Sequence, residues 1–315
     1  MSEDEPVLEL PDFDPRATRR SVRRGIVRTA TVVLAALVAV ALVATLGSAA
    51  VQKRGDRERR MWDVLGTAFK IYNPAYAIDV QDCCQTTPLS MSLTVSARQR
   101  RAQGGFQGDA GSSYTITQDF FGRVGRLPLG NYANTRLSSA LGEVGTDLAG
   151  KEQVRKVLAR LPTALNAMAV VEFTSPVTPE ELGRLGHGCT ARVVYERRPG
   201  SVPITWDMTT WDRAPLNMEK ETPCDAQPRV DLENFRRWVG MLRDYDDANL
   251  HRFDLSLARL RKAAKEGLVY AYMDDLASVE DLRKLLEDPR VRTIRLADVA
   301  FDLDRPVRPL ATGGS

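Results

Sequence analysis

Four cysteines and two histidines carry the most versatile chemistry in this 315-residue chain. They are Cys83, Cys84, Cys189, Cys224, His187 and His251. A zinc site needs about four ligands at suitable spacing, and two adjacent cysteines followed by a distant His-x-Cys match that spacing poorly. We therefore expect no metal and no cofactor, and we expect the cysteines to form disulfides.

The pairing of these cysteines stays open, because four cysteines allow three connectivities. We expect one disulfide between Cys189 and Cys224. Cys83 and Cys84 either bridge each other or reach separately to the other two cysteines. A nucleophilic Cys189 beside His187 is the alternative, and an oxidising compartment disfavours it.

Two groups of acidic residues are candidate ligand sites. Asp244, Asp246 and Asp247 lack the glycine and the distal glutamate of a calcium loop, so we expect a solvated connection between helices. Asp274 and Asp275 follow a predicted strand, where ligand sites do occur, but a turn is the simpler role. No acid–base pair converges in the sequence, so we expect no catalytic residue and no enzyme.

One apolar run organises the rest of the chain. Thr29–Val51 carries no charge, and about 20 such residues cross a hydrocarbon core as a helix. Arginines flank both ends with a small excess before the run, which favours a cytoplasmic N-terminus. All four cysteines follow the run, which fits an extracytoplasmic C-terminal part. A signal peptide cleaved near Gly47–Ala50 is the alternative, and it also places the following residues outside the cytoplasm.

The tail before the run is short, contains three prolines, and is expected to be disordered. Its residues Val7, Leu8, Leu10 and Phe13 alternate with acids. This pattern suits a linear motif that orders on a basic protein partner, and a solvated leader without a role is the alternative. The chain has 44 Lys and Arg against 41 Asp and Glu, so direct binding of nucleic acid is not implied.

Beyond the run, the pattern predicts a juxtamembrane helix and a β-rich region. Apolar residues at helical spacing extend the helix to Tyr72. Alternation in residues 91–96 and 113–117 predicts a β-hairpin with a glycine-rich loop at 104–111. A helix over Lys151–Leu161 ends at a proline, and a domain boundary is expected near residue 163.

The C-terminal region predicts a layered α/β domain with one mixed sheet and an internal repeat. The repeat consists of two β-α-β units. The first has a strand at 169–173, a helix at 178–185 and a strand at 191–195. The second has a strand at 269–273, a helix at 278–285 and a strand at 291–296. Thr178 and Glu181 predict a capping box at the start of the first unit's helix. Helices are predicted at 230–242 and 250–268 between the units. A chance match between two ordinary β-α-β units is the alternative to duplication.

The expected fold class is thus α+β or α/β, with a single transmembrane helix, a hairpin-containing region and the α/β domain. The expected parts are a disordered cytoplasmic tail (1–28), the transmembrane helix (29–51), the juxtamembrane helix and β-rich region (52–163), the C-terminal α/β domain (164–304) and a disordered end (305–315).

Three segments resemble the sigma-factor-regulator family, which are bacterial single-pass membrane proteins linked to anti-sigma function. They are Tyr72–Pro74, Glu172–Leu182, and Arg292–Val299 with the strand at 268–273 before it. The resemblance covers most of residues 20–304 and implies the same layout of basic tail, span, hairpin region and α/β domain. The tail of this chain lacks the His and Cys residues of zinc-containing anti-sigma domains. The resemblance therefore implies that a sigma factor would bind a short segment or a membrane-proximal helix.

The sequence predicts a membrane-anchored regulator. Its outer domain would sense an envelope ligand or protein, and its tail would hold a cytoplasmic sigma factor away from RNA polymerase. The lipid bilayer and a second copy of the chain are the other partners considered. A non-catalytic cell-envelope scaffold with an inert tail is the alternative, and an extracytoplasmic enzyme would need polar side chains that converge in a pocket.

Overall fold

The computed structural model describes residues 15–53, 56–102, 111–129, 135–147, 150–185, 192–214, 224 and 226–301. Several predicted features lie outside the described residues: Val7, Leu8, Leu10, Phe13, His187, Cys189, residues 104–110 of the glycine-rich loop and the C-terminal residues 305–315. The chain divides into two compact units, residues 1–54 and residues 55–315.

The described part of the first unit is one helix, α1 (Pro15–Lys53). Its stretch Arg19–Ser48 is long and apolar enough to cross a membrane, and no other described helix meets that criterion. Its large apolar side chains are exposed, which is the surface that lipid covers in a spanning helix. α1 also takes in residues 15–28, which the sequence assigned to the tail. Proline is favoured at a first helical position, and the arginines that follow are good helix formers.

The second unit begins with a continuous helical segment. It consists of α2 (Arg57–Arg60), a π-helical stretch (Met61–Gly66) and α3 (Thr67–Tyr72). The sequence predicted one apolar side for this segment. Instead, nearly every residue from Met61 to Ala75 is buried, including the charged Asp63 and Lys70. The segment is therefore part of the core of the second unit.

A three-stranded antiparallel sheet follows, formed by β1 (Tyr76–Thr86), β2 (Ser90–Gln99) and β3 (Ser112–Asp119) in that order. The predicted hairpin is confirmed, because β2 and β3 pair along their length with Val95 opposite Tyr114. Alternate residues of β2 are buried, as the period-two pattern requires. β1 was not predicted, and it carries the adjacent cysteines.

A second sheet contains β4 (Leu165–Val177), β5 (Arg192–Val194), β6 (Thr205–Trp206), β7 (Val269–Ser278) and β8 (Val291–Phe301). The strand order is β6-β5-β7-β4-β8, and every neighbouring pair is antiparallel. The mixed sheet expected from sequence is therefore corrected to an antiparallel one.

The described part of this unit also contains seven more α-helices. They are α4 (Arg136–Gly142), α5 (Lys151–Arg160), α6 (Pro179–Gly183), α7 (Gln227–Met241), α8 (Asp247–Leu250), α9 (Leu257–Glu266) and α10 (Val279–Glu287). The helix predicted over 250–268 is shorter than expected. Asp254 has a left-handed backbone with φ of 53°, and Ser256 then caps α9 by accepting from the Arg259 amide.

Both predicted β-α-β units exist as strand, helix and strand, but the two strands of each unit are not neighbours. β4 and β5 are both antiparallel to β7, which lies between them. Likewise, β7 and β8 flank β4. The units therefore interlock as two split β-α-β motifs. The two strands of each unit run parallel, as the sequence suggests, but a strand of the other unit lies between them, so every hydrogen-bonded pair is antiparallel.

Both faces of the second sheet are buried. In β4, Ala167, Ala169 and Val171 belong to the larger apolar core, whereas Met168 and Val170 pack in a smaller one. This explains the unbroken apolar run of β4, since a strand buried on both faces has no polar alternation. α5 contacts α10 and β8, so the boundary predicted near residue 163 lies inside the compact second unit.

Candidate functional site

The residues that connect the helical segment Arg57–Tyr72 to the second sheet form a buried cluster of charges. We call Asp63, Lys70, Arg192, Asp207 and Asp212 the Asp207 cluster. Asp63, Lys70, Arg192 and Asp207 are buried, while the side chain of Asp212 is partly exposed. None of these five residues was singled out from the sequence, because their contacts join positions far apart in the chain.

Asp207, directly after β6, is the centre of this cluster. Its Oδ2 accepts from Arg192 Nη2 at 2.6 Å and from Arg100 Nη2 at 2.9 Å. Its Oδ1 accepts from the Thr209 amide at 2.9 Å and from the Thr210 hydroxyl at 2.8 Å. Burial by itself would raise the pKa of Asp207, but the two arginines outweigh it and hold that pKa below its usual value. Asp207 is therefore a carboxylate fully used in structural contacts.

Lys70 ties α3 to this centre. Its Nζ donates to Asp212 Oδ1 at 2.6 Å and to the Thr209 carbonyl at 2.9 Å. The Lys70 carbonyl in turn accepts from Arg192 Nη1 at 3.4 Å. The last turn of the helical segment is thus fixed to β5 and to the residues that follow β6.

Asp63 fixes the preceding turn to two tryptophans. Its Oδ1 accepts from Trp211 Nε1 at 3.0 Å, and its carbonyl accepts from Trp238 Nε1 at 2.6 Å. Trp238 belongs to α7 and is fully buried among aromatic rings. The π-helical stretch is therefore attached to the core of the unit as firmly as α3.

A second buried carboxylate, Glu172 of β4, fixes the chain after α4. It accepts from Arg295 Nη1 at 2.6 Å, from Arg292 Nη1 at 2.9 Å and from the Gly145 amide at 3.1 Å. The sequence contained a signal for this pairing, because an acid within the apolar run of a strand requires a buried partner. The Arg292 and Arg295 pair is part of the resemblance, and here the two arginines serve the packing of the sheet.

The acids considered as ligands have other roles. Asp246 is buried rather than solvated, forms an ion pair with Arg60 and accepts from the Arg243 amide at 2.7 Å. Asp247 accepts from the Leu257 amide at 2.7 Å, so it binds the first residue of α9. The expectation of a solvated connection is therefore wrong for Asp246, since the helical segment covers it.

Asp274 and Asp275 lie inside β7 and not in a turn. Asp274 is buried, and its Oδ1 accepts from the Leu276 amide at 2.9 Å. Burial, reinforced by the neighbouring charge of Asp275, raises the pKa of Asp274 to about 6.

A further buried acid is Asp231 on α7. Burial and the nearby charge of Asp207 raise the pKa of Asp231 well above its usual value.

Cys83 and Cys84 form a disulfide with each other, which is the first of the two alternatives left by the sequence. The Cys83 and Cys84 Sγ atoms lie 3.9 Å and 3.7 Å from the Glu58 carbonyl of α2. Cys224 is also disulfide-bonded. Because Cys189 lies outside the described residues, its pairing with Cys224 stays a prediction.

A cavity of about 10 Å³ lies between Tyr72–Tyr76, α4 and the Val202–Pro203 segment. That volume holds about one water, whereas ligand pockets occupy several hundred cubic ångströms. Across the described ranges, no group of three or more His, Cys, Asp or Glu residues is placed to hold a metal ion.

Comparison of the chain with known protein families, with curated proteins and with solved structures gives no match.

Proposed function

We propose that this protein is a single-pass membrane regulator of the anti-sigma type. In this proposal α1 crosses the membrane, the tail is cytoplasmic, and the second unit is an extracytoplasmic sensing domain. The observation that carries the proposal is the burial of Met61–Tyr72, which follows α1 closely in the chain, within the core of the second unit.

The Asp207 cluster supports a role in transmission. Lys70, Asp63 and Arg192 attach the segment to β5, to α7 and to the turn after β6. A ligand or protein that changes the packing of the sheet would therefore change the segment that continues from the membrane helix. Such a signal must bind the two states of the domain unequally, because only differential affinity shifts an equilibrium.

The disulfides support the proposed orientation. The Cys83–Cys84 bond and the disulfide of Cys224 are all in the second unit, and disulfides persist mainly in oxidising compartments. The arginine excess before the apolar run favours the same orientation. The folded unit would then meet signals at the cell envelope while the tail meets cytoplasmic proteins.

The tail would act as the effector through Val7, Leu8, Leu10 and Phe13. These residues would bind a sigma factor and hold it at the membrane, away from RNA polymerase. Because a single helix transmits a small shift poorly, release would follow a change of oligomeric state or proteolysis of the chain.

Co-purification tests this proposal. The full-length chain is extracted from membranes in mild detergent and captured through a C-terminal tag, and bound sigma factors are identified by mass spectrometry. We expect one sigma factor with the unaltered chain and its loss when Val7, Leu8, Leu10 and Phe13 are all replaced by serine. Failure to recover any sigma factor would contradict the anti-sigma role and favour the alternative of a cell-envelope scaffold with an inert tail.

A further inference from the structure

One end of the three-stranded sheet presents large apolar side chains to solvent. Leu89 in the β1–β2 turn is 76% exposed, and Phe121, just after β3, is 82% exposed. Ser90 pairs with Asp119, so the residues next to them, Leu89 and Phe120, come to the same end of the sheet. We call Leu89, Phe120 and Phe121 the apolar tip.

The conformation of the tip is well defined by hydrogen bonds. The Gly122 amide donates to the Asp119 carbonyl at 3.0 Å, and Gly122 has a φ of 83°. Glycine adopts that left-handed backbone without the steric cost of a side chain. The rings of Phe120 and Phe121 meet edge to face with centroids 5.6 Å apart. The turn thus holds two aromatic rings outward in a fixed arrangement.

Arg57 connects the tip to the start of the second unit. Its Nη1 donates to the Phe120 carbonyl at 3.0 Å, and its Nη2 donates to the Asp119 carbonyl. Arg57 follows Val51, the last residue of the apolar run, by only six positions. Six residues extend at most about 20 Å, so Arg57 lies within that distance of the end of the apolar run.

A further aromatic residue lies at this end. Tyr245 is largely exposed, and the guanidinium groups of Arg60 and Arg243 lie 5.0 Å and 5.8 Å from the centre of its ring. Aromatic rings and arginines are the residues enriched where membrane proteins meet the headgroups. Exposed acids such as Asp56 and Asp244 are also present, so the end carries no large excess of positive charge.

We propose that the apolar tip inserts into the interfacial layer of the bilayer. This inference rests on the proposed membrane crossing. The covalent path from the apolar run limits how far Arg57 can lie from the lipid surface, and Arg57 holds the tip. Lipid contact buries the rings that water otherwise surrounds, which is favourable in proportion to the apolar area removed from water. The tip thereby gives the second unit a second attachment to the membrane, in addition to the chain itself.

Lipid photolabelling of the full-length protein tests this proposal. The chain is reconstituted in nanodiscs that contain a phosphatidylcholine with a diazirine near the glycerol end of one acyl chain, and the labelled peptides are mapped by mass spectrometry. We expect lipid on peptides from α1 and on peptides that contain Leu89 and Phe121. Phe301 of β8 is the internal reference, since it is 72% exposed but lies on the other sheet.

Two matched variants complete the experiment. Leu89→Ser with Phe121→Ser should reduce labelling of the tip about tenfold, because the apolar area available for insertion is removed. Phe301→Ser should leave tip labelling unchanged. All three positions are largely exposed, so both variants should keep the thermal stability of the parent.

The outcomes separate this inference from the proposed function. Labelled α1 with an unlabelled tip, or equal labelling of Phe301 and the tip, would overturn the inference and leave the membrane crossing intact. Cross-links from one tip to the tip of a second copy would overturn it in favour of a protein partner. An unlabelled α1 would overturn both.

Discussion

Lys70, only 3% exposed, donates its Nζ to Asp212 across an interval of 142 residues at a distance of 2.6 Å. This ion pair attaches the helix that follows the apolar run to the segment after β6. It belongs to the network around Asp207, whose carboxylate forms ion pairs with Arg192 and Arg100. Burying a charge is costly unless it is paired, so such a network holds its parts in a unique arrangement.

The first prediction concerns the centre of that network. Asp207→Asn keeps the shape of the side chain but leaves the guanidinium groups of Arg192 and Arg100 without a negative partner. Breaking a buried ion pair costs about 3–5 kcal/mol, which corresponds to a fall in Tm of roughly 6–20 °C for a unit of this size. Scanning fluorimetry of the full-length chain in detergent measures the change.

The matched control for this variant is Lys284→Met, which removes an exposed ion pair with Glu280. Exposed pairs contribute little, so the Tm should stay close to that of the parent. An equal loss of stability in both variants would show that the network around Asp207 has no special role.

The second prediction concerns pH. Because the pKa of Asp274 is raised to about 6 in the fold, the folded protein binds more protons than the unfolded chain between about pH 4 and pH 6. The contribution of Asp274 to the free energy of unfolding therefore falls as pH rises through this window and stays low above it. Asp274→Asn should raise the Tm at pH 7.5 and change it little near pH 4.5. A Tm difference that is the same at both pH values would contradict this assignment.

The elements that the sequence predicted well are those whose signals are local. The capping box of Thr178 and Glu181 is present, with the Glu181 amide donating to Thr178 Oγ1 at 3.2 Å. The β2–β3 hairpin and the helices α5, α7 and α10 follow from periodicity within one segment. Each depends on contacts between residues close in the chain, which a single sequence can display.

The features that the sequence missed depend on distant contacts. β1 was missed because its residues alternate only in part, and its pairing with β2 defines it. The order of the second sheet could not be predicted, since β7 is placed between β4 and β5 by contacts across about a hundred residues. The Asp207 cluster was missed for the same reason: Asp63 and Trp211 are 148 positions apart.

The third prediction concerns the N-caps of the two β-α-β units. Thr178 Oγ1 accepts from the Glu181 amide, and Ser278 Oγ accepts from the Asp281 amide at 3.0 Å. Thr178→Ala and Ser278→Ala should each lower the free energy of unfolding by about 1 kcal/mol, because both units begin their helix with the same device. Ser112→Ala, at an exposed position of β3, should have no comparable effect. Urea unfolding measures these free energies. If only one of the two N-cap substitutions lowered the free energy of unfolding, the caps would not be equivalent.

The fourth prediction concerns the cysteines. Peptide mapping of the chain purified from membranes without reductant should find Cys83 and Cys84 linked within one peptide. It should also find Cys189 linked to Cys224. Such bonds are expected only if the second unit has matured in an oxidising compartment. Quantitative labelling of four free thiols would contradict both the pairing and the proposed orientation.

The most direct test of the account is the side of the membrane on which each unit lies. Single cysteines are introduced as Ser2→Cys in the tail and as Glu152→Cys at an exposed position of α5, and intact cells are treated with a membrane-impermeant maleimide. A membrane-anchored regulator with an outer sensing domain predicts labelling of Glu152→Cys in intact cells and of Ser2→Cys only after the cells are opened. The reverse pattern, or a mature chain that lacks the tail, would contradict the account.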